Sequence, residues 1–245
     1  MSAPVSERAW VPLAPRERRV LGVLVEKAKT TPEYYPLTLA AVLTGCNQKS
    51  NRDPVTNYDQ DDVEDTLQEL RRKGAVVMVE AGGRVPRWKH TLYDWLKVSK
   101  VELAVIGELL LRGAQTEGDL RARASRMEPI ADLPALQAIL EALKERGLVT
   151  YLSPSGQKRG VVVTHAFYPP AEAEKVRQAF LQSAQAGEED ERPTRLAAVR
   201  AEATSAGPPA WAAETAALRT EVESLRNTVA NLSEELRELK RALGV

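Results

Sequence analysis

The stretch Leu70-Arg71-Arg72-Lys73-Gly74-Ala75-Val76-Val77 reads as the basic last turn of a helix, a glycine stop and the first residues of a strand. The same grammar returns in Leu143-Lys144-Glu145-Arg146-Gly147-Leu148-Val149-Thr150, at an offset of 73 residues. A glycine in that place suits the left-handed residue that ends a helix, and the cations complement the exposed carbonyls of its last turn. After each glycine comes a β-branched run, a turn-rich tip and a second run, the pattern of a β-hairpin. The tips are Ala81-Gly82-Gly83-Arg84 and Ser153-Pro154-Ser155-Gly156, and the hairpins close on His90-Thr91-Leu92-Tyr93 and His165-Ala166-Phe167-Tyr168. Both histidines of the chain therefore hold equivalent places in a repeat.

Three helical patterns precede each hairpin. In the first copy they are 16–29, 39–46 after an N-capping Thr38, and 60–73 after an N-capping Asp59. In the second copy they are 100–112 after Ser99, 117–125 after Thr116, and 133–146 after Asp132, with Pro134 in the first turn. Three helices and a hairpin make a winged-helix pattern. Aligning Leu21-Gly22 with Ile106-Gly107 gives an offset of 85, so the first copy carries 12 extra residues, which fall near the polar stretch from Gly45 to Asn57. A loop of that length and composition suggests a role beyond connection.

The tail reads differently. Residues 184–210 are rich in Ala, Glu, Gly and Pro and suit a mobile linker with room for a short helix. Beyond them Leu218, Val222, Leu225, Val229, Leu232, Leu236, Leu239 and Leu243 alternate spacings of four and three, an unbroken heptad seam. Valine at a with leucine at d favours two parallel strands, and Glu221 and Glu235 at g face Arg226 and Lys240 at e of a partner. The expected class is mainly α with small β-hairpins (α+β). Its parts are two tandem winged-helix domains at 1–98 and 99–183, a linker at 184–210 and a coiled-coil helix at 211–245 that makes a parallel homodimer.

Composition narrows the function classes. One cysteine, Cys46, and two histidines do not supply an ordinary zinc site, and no glycine-rich phosphate cradle is present, so neither metal nor cofactor is expected. No stretch approaches the roughly 20 apolar residues of a membrane span, and no secretory leader is legible, so a cytoplasmic protein is expected. Basic and acidic side chains balance at 34 each, with 15 against 13 in residues 1–98 and 11 against 10 in 99–183. Neither domain is a general polyanion binder.

The string Tyr34-Tyr35-Pro36-Leu37-Thr38-Leu39 followed by Cys46-Asn47-Gln48-Lys49-Ser50-Asn51-Arg52-Asp53-Pro54-Val55 resembles the YceH-like family of uncharacterised bacterial proteins. The similarity covers roughly residues 14–180. It implies tandem winged helices and carries no activity with it.

Winged helices usually lay their third helix in the major groove and touch phosphates with the wing. Here the first third-helix exposes Asp61, Asp62, Asp65 and Glu69, which oppose phosphate, so conventional insertion is disfavoured. The second is expected to bury Leu133, Leu136, Leu140 and Leu143 and to leave Ala135, Ala138 and Ala142 outside. Residues 71–100, by contrast, hold eight basic against two acidic side chains. The candidate phosphate contacts are Lys49 and Arg52 on the inserted loop, Arg71, Arg72, Arg84, Arg87 and Lys89 around the first wing, and Lys158 and Arg159 on the second. Trp88 between Arg87 and Lys89 suits a core position better than a stacking one. Catalytic readings of Cys46, Lys49-Ser50 or the Asp61-Asp62 turn lack the partners such chemistry needs. The expectation is a non-enzymatic dimer associated with double-stranded DNA through wings and inserted loop. The alternative is a protein assembly adaptor using the acidic and alanine-lined third helices.

Overall fold

The computed structural model describes residues 11–190 apart from 81–84, 155 and 158, with side chains to residue 183. The seam from Leu218 to Leu243 lies outside the described residues, as does the linker beyond residue 190. The architecture is mixed α+β. In chain order it comprises α1 (Pro15–Thr30), a 3-10 turn (Pro32–Tyr34), β1 (Leu37–Thr38), α2 (Leu39–Cys46), α3 (Gln60–Arg72), β2 (Val76–Val79), β3 (Arg87–His90) and α4 (Leu92–Leu96). Then follow α5 (Lys100–Arg112), β4 (Gln115–Thr116), α6 (Glu117–Ala124), α7 (Leu133–Glu145), β5 (Val149–Tyr151), β6 (Val162–His165) and α8 (Pro170–Asp190).

The helix starts follow from their caps. The side chains of Thr38, Asp59, Ser99, Thr116 and Asp132 accept the backbone N–H of Ala41, Asp62, Glu102, Asp119 and Ala135, satisfying donors that the first helical turn leaves free. The repeated stops also form. Gly74 and Gly147 take φ of 74° and 67°, and the residues after them donate to Leu70 and Leu143 carbonyls at 2.9 Å each. That is the 6→1 bond of a helix ended by a left-handed glycine.

Each hairpin gains a third strand that the sequence pattern did not disclose. The sheets have orders β1-β3-β2 and β4-β6-β5, all antiparallel. The extra strands, Leu37–Thr38 and Gln115–Thr116, are two residues long and end on the threonine that caps the next helix. The register keeps the repeat, with Val76 opposite His90 and Val149 opposite His165.

The two copies share one core. The described residues up to 185 form one compact unit, and α1 packs more extensively on α5 than on any other element. The repeated glycines are the reason the helices approach so closely. A Cβ on Gly22 would lie 2.8 Å from Leu111 Cγ and 3.2 Å from the Leu111 backbone nitrogen, and one on Gly107 would lie 2.6 Å from Val25 Cγ1. Leu21, Leu24, Ile106 and Leu109 are completely buried beside them. A further tie joins the beginning of the first copy to the end of the second. Leu13 N–H donates to the Phe167 carbonyl at 2.8 Å, and Arg18 grips both carboxylate oxygens of Glu172 at the start of α8. Helix α8 continues to Asp190, seven residues into the segment read as linker.

Candidate functional site

Arg52 is the clearest correction to the set of phosphate contacts. It is 5% exposed, and its Nη2 lies 2.6 Å from Glu26 Oε2 on α1. Its Nε donates to the Gly45 carbonyl at 2.9 Å and its Nη2 to Gln48 Oε1 at 2.7 Å. An arginine so enclosed has no donor face to offer a nucleic acid. The reason is electrostatic: Glu26 interrupts the apolar run of α1, and a carboxylate held there requires a buried cation.

Several polar groups of the inserted loop are directed inward. Asn51, at φ 59°, accepts from Arg112 Nη2 at 2.8 Å, and Asp53 N–H donates to the Leu111 carbonyl at 3.1 Å. Both partners belong to α5, in the second copy. Within the first copy the Asn47 side chain closes the loop on itself, donating to the Tyr58 carbonyl and accepting from the Tyr58 N–H at 2.8 Å each. The polar string that distinguishes the sequence is therefore a brace between the copies. Lys49 alone of the loop's two cations is exposed.

Around the first hairpin, Arg71, Arg72, Arg87 and Lys89 are exposed. Arg72 pairs with Glu69, and Arg87 Nη1 donates to the Pro36 carbonyl at 2.8 Å. Strand alternation points Arg87 and Lys89 outward and Trp88 inward, where it is 4% exposed. Lys73, which raised the local charge count, is tied to Glu17 at 2.6 Å. Arg159 is exposed, while Arg84 and Lys158 lie outside the described residues.

The third helices present different faces. On α3, Val63, Leu67 and Leu70 are fully buried, and Asp61, Glu64, Asp65 and Glu69 are exposed. Asp61, Glu64 and Asp65 have no ion-pair partner among the described residues; Asp62 instead pairs with Arg16 at 2.7 Å and caps its own helix. On α7, Leu136, Leu140 and Leu143 are fully buried as the pattern requires, but Leu133 is 39% exposed. It is the first helical residue, and its side chain leans back beyond the edge of the core. Ala138 and Ala142 face solvent, and Ala135 is half-buried.

Both histidines brace their hairpins in the neutral form. His90 Nδ1 accepts the Leu92 N–H and His165 Nδ1 accepts the Phe167 N–H, each at 3.3 Å. Burial lowers the His90 pKa to about 4, helped by Lys29 and Lys89, and lowers that of His165 well below the usual value. The Cys46 thiol is fully buried and pushed up to about 12 by desolvation, which leaves it unreactive as a nucleophile. Among the described residues no three His, Cys, Asp or Glu side chains converge in a way that would hold a metal ion. No helix of the described residues is long and apolar enough to cross a membrane.

These placements define a class: an α+β protein of two structurally repeated copies locked by a polar internal brace, with one acidic helix face and one basic strand face open to solvent. Residues 13–157 match the family described as "Protein of unknown function, DUF480", and the chain belongs to that family. It is 50% identical over 161 residues to a UPF0502 protein of Rhodopirellula baltica, a match covering 66% of this chain and 67% of that one. It is 53% identical over 130 residues to a UPF0502 protein of Geotalea daltonii, covering 53% of this chain and 60% of the relative. A UPF0502 protein of Acidovorax is 36% identical over 231 residues, covering 92% and 94%. Several of the matches thus span about three-fifths to two-thirds of the relatives' own lengths, whereas the Acidovorax match is nearly end to end.

Proposed function

We propose that this protein is a non-enzymatic, cytoplasmic adaptor built from two winged helices, in which the outer face of α3 docks a basic protein surface. The observation that carries the reading is the row of exposed carboxylates at Asp61, Glu64, Asp65 and Glu69 on the helix that winged-helix proteins ordinarily insert into DNA. Three of the four have no cation of their own among the described residues, so they are available to one supplied by a partner. Complementary charge of this kind sets partner choice and encounter rate more than raw affinity. The leucine seam of residues 211–245 would pair two such bodies in parallel and double the valency.

Benzoylphenylalanine in place of Glu64, with cross-linking in cells and nuclease treatment of the lysate, tests this reading. The expected result is a discrete protein adduct whose contact surface is basic, abolished by Asp61→Lys with Asp65→Lys. No protein adduct, or one that disappears with nuclease, removes it.

A second reading rests on Arg87 and Lys89, which project together from β3 and suit the sugar-phosphate backbone of duplex DNA. It is the weaker one, because Arg52 is committed inside the protein and α3 would carry its carboxylates toward phosphate.

A further inference from the structure

Three arginines of the described residues are almost wholly buried: Arg18, Arg19 and Arg52. Arg18 has Glu172 and Arg52 has Glu26. Arg19, 4% exposed, has no carboxylate at ion-pairing distance among the described residues. Its Nη1 donates to the Cys46 carbonyl at 3.3 Å and its Nη2 to the Pro54 carbonyl at 2.6 Å, and its Nε makes no hydrogen bond among the described residues. A guanidinium keeps its charge in any protein environment, and the hydrogen bonds of this buried one go to two carbonyl oxygens rather than to a carboxylate. Desolvation by burial lowers its pKa from the ordinary arginine value.

Arg19 lines a half-open pocket of about 310 Å³ bordered by the first turns of α1, the inserted loop, the end of α5 and the start of α8. Arg18, Arg112, Tyr58 and Tyr168 also face it. Two carboxylates share the lining and neither neutralises Arg19. Glu172 has both oxygens engaged by Arg18, and Asp53 is solvent-exposed and makes no ion pair among the described residues. The Tyr58 hydroxyl has no hydrogen-bond partner among the described residues, so it is a free donor beside the cation. The N-terminal end of α1 adds its positive dipole to the same wall. The volume falls at the lower end of the range for small-molecule sites, roughly 300 to 1,000 Å³.

We propose that this cavity binds a small metabolite through a phosphate or carboxylate group, which supplies the counter-charge that Arg19 lacks within the chain. Because the walls come from both copies, the ligand ties them together and adds to the stability of the whole body. The pocket lining includes none of the exposed carboxylates of α3, so binding here is tested separately from docking there.

Calorimetric titration of the full-length protein with inorganic phosphate, and separately with succinate, at constant ionic strength tests it. Saturable one-to-one heat with either anion supports the site, and the tighter of the two tells phosphate from carboxylate chemistry. Arg19→Met is expected to weaken binding by about tenfold or more, the loss that follows removal of a charged hydrogen-bond donor. Tyr58→Phe, which removes only a hydroxyl and leaves the core intact, is expected to weaken it less and serves if Arg19→Met does not fold. A matched rise in melting temperature should appear in the wild type and be reduced in the variants, which separates binding from the general stabilisation that phosphate gives any protein. Absence of saturable heat with both anions, or unchanged affinity in Tyr58→Phe together with any folded Arg19→Met, overturns the proposal.

Discussion

Arg52 and Glu26 form a buried ion pair at 2.6 Å that joins the inserted loop to the first helix, with the arginine side chain wholly excluded from solvent. Removing one partner strands the other. Arg52→Met is expected to cost about 3 kcal/mol, the lower end of the range for breaking a buried pair, since Lys27 lies 3.9 Å from the same carboxylate and softens the loss. Urea denaturation measures it, and a cost below about 1 kcal/mol would return the loop to the solvent-facing role its sequence suggested.

The crossing of α1 and α5 is set by glycine. Gly22→Ala places a methyl carbon 3.2 Å from the Leu111 backbone nitrogen and closer still to its side chain. Alanine is the better helix former by about 1 kcal/mol, yet overpacking a tight core costs about 1 to 3 kcal/mol, and here the obstacle includes backbone. Net destabilisation with unchanged helical content is expected by circular dichroism melts. A stabilised variant would mean the helices have room to part.

Acid should weaken the fold through the two histidines. In the unfolded chain an imidazole takes its proton near pH 6.5, whereas folded His90 does so only near 4. The folded state therefore binds fewer protons between those values, so stability is full above pH 6.5 and declines as pH falls toward 4, by at most about 3 kcal/mol for His90. His165 acts in the same direction. Denaturation midpoints measured at pH 7.5 and 5 should show this fall, and His90→Gln should flatten part of it. A flat profile in the wild type contradicts neutral, buried imidazoles.

Much of this architecture was legible. The repeated Gly74 and Gly147, the five capping side chains and the buried stripe of α3 each follow from local chemistry that a sequence displays. Other features depend on elements distant in the chain. A two-residue strand such as Leu37–Thr38 is too short for alternation to reveal. The direction of Arg52 is set by Glu26, which no local pattern connects to it. The exposure of Leu133 depends on where the core ends along α7. Strand alternation did separate Trp88 from Arg87 and Lys89. The charge count around the first hairpin overstated its free cations, because Lys73 is spent on Glu17 and Arg72 on Glu69.

Duplex DNA should see little of this surface. Arg87 and Lys89 offer at most two phosphate contacts from the sheet, which corresponds to a log-log salt slope of about −2 in anisotropy titrations with random duplex. Arg87→Glu with Lys89→Glu should abolish what binding there is. A slope of about −6 or steeper would require many more contacts and would move the leading reading to nucleic acid.

The two copies are fused through α1 and α5 and should unfold as one cooperative body. Hydrogen exchange by mass spectrometry, followed across a urea series, resolves the amides of β2–β3 from those of β5–β6. Both sheets are expected to open with the same free energy and the same urea dependence, because α1, α5 and the inserted loop are shared between them. Release of one sheet at a distinctly lower urea concentration while the other stays protected would contradict it.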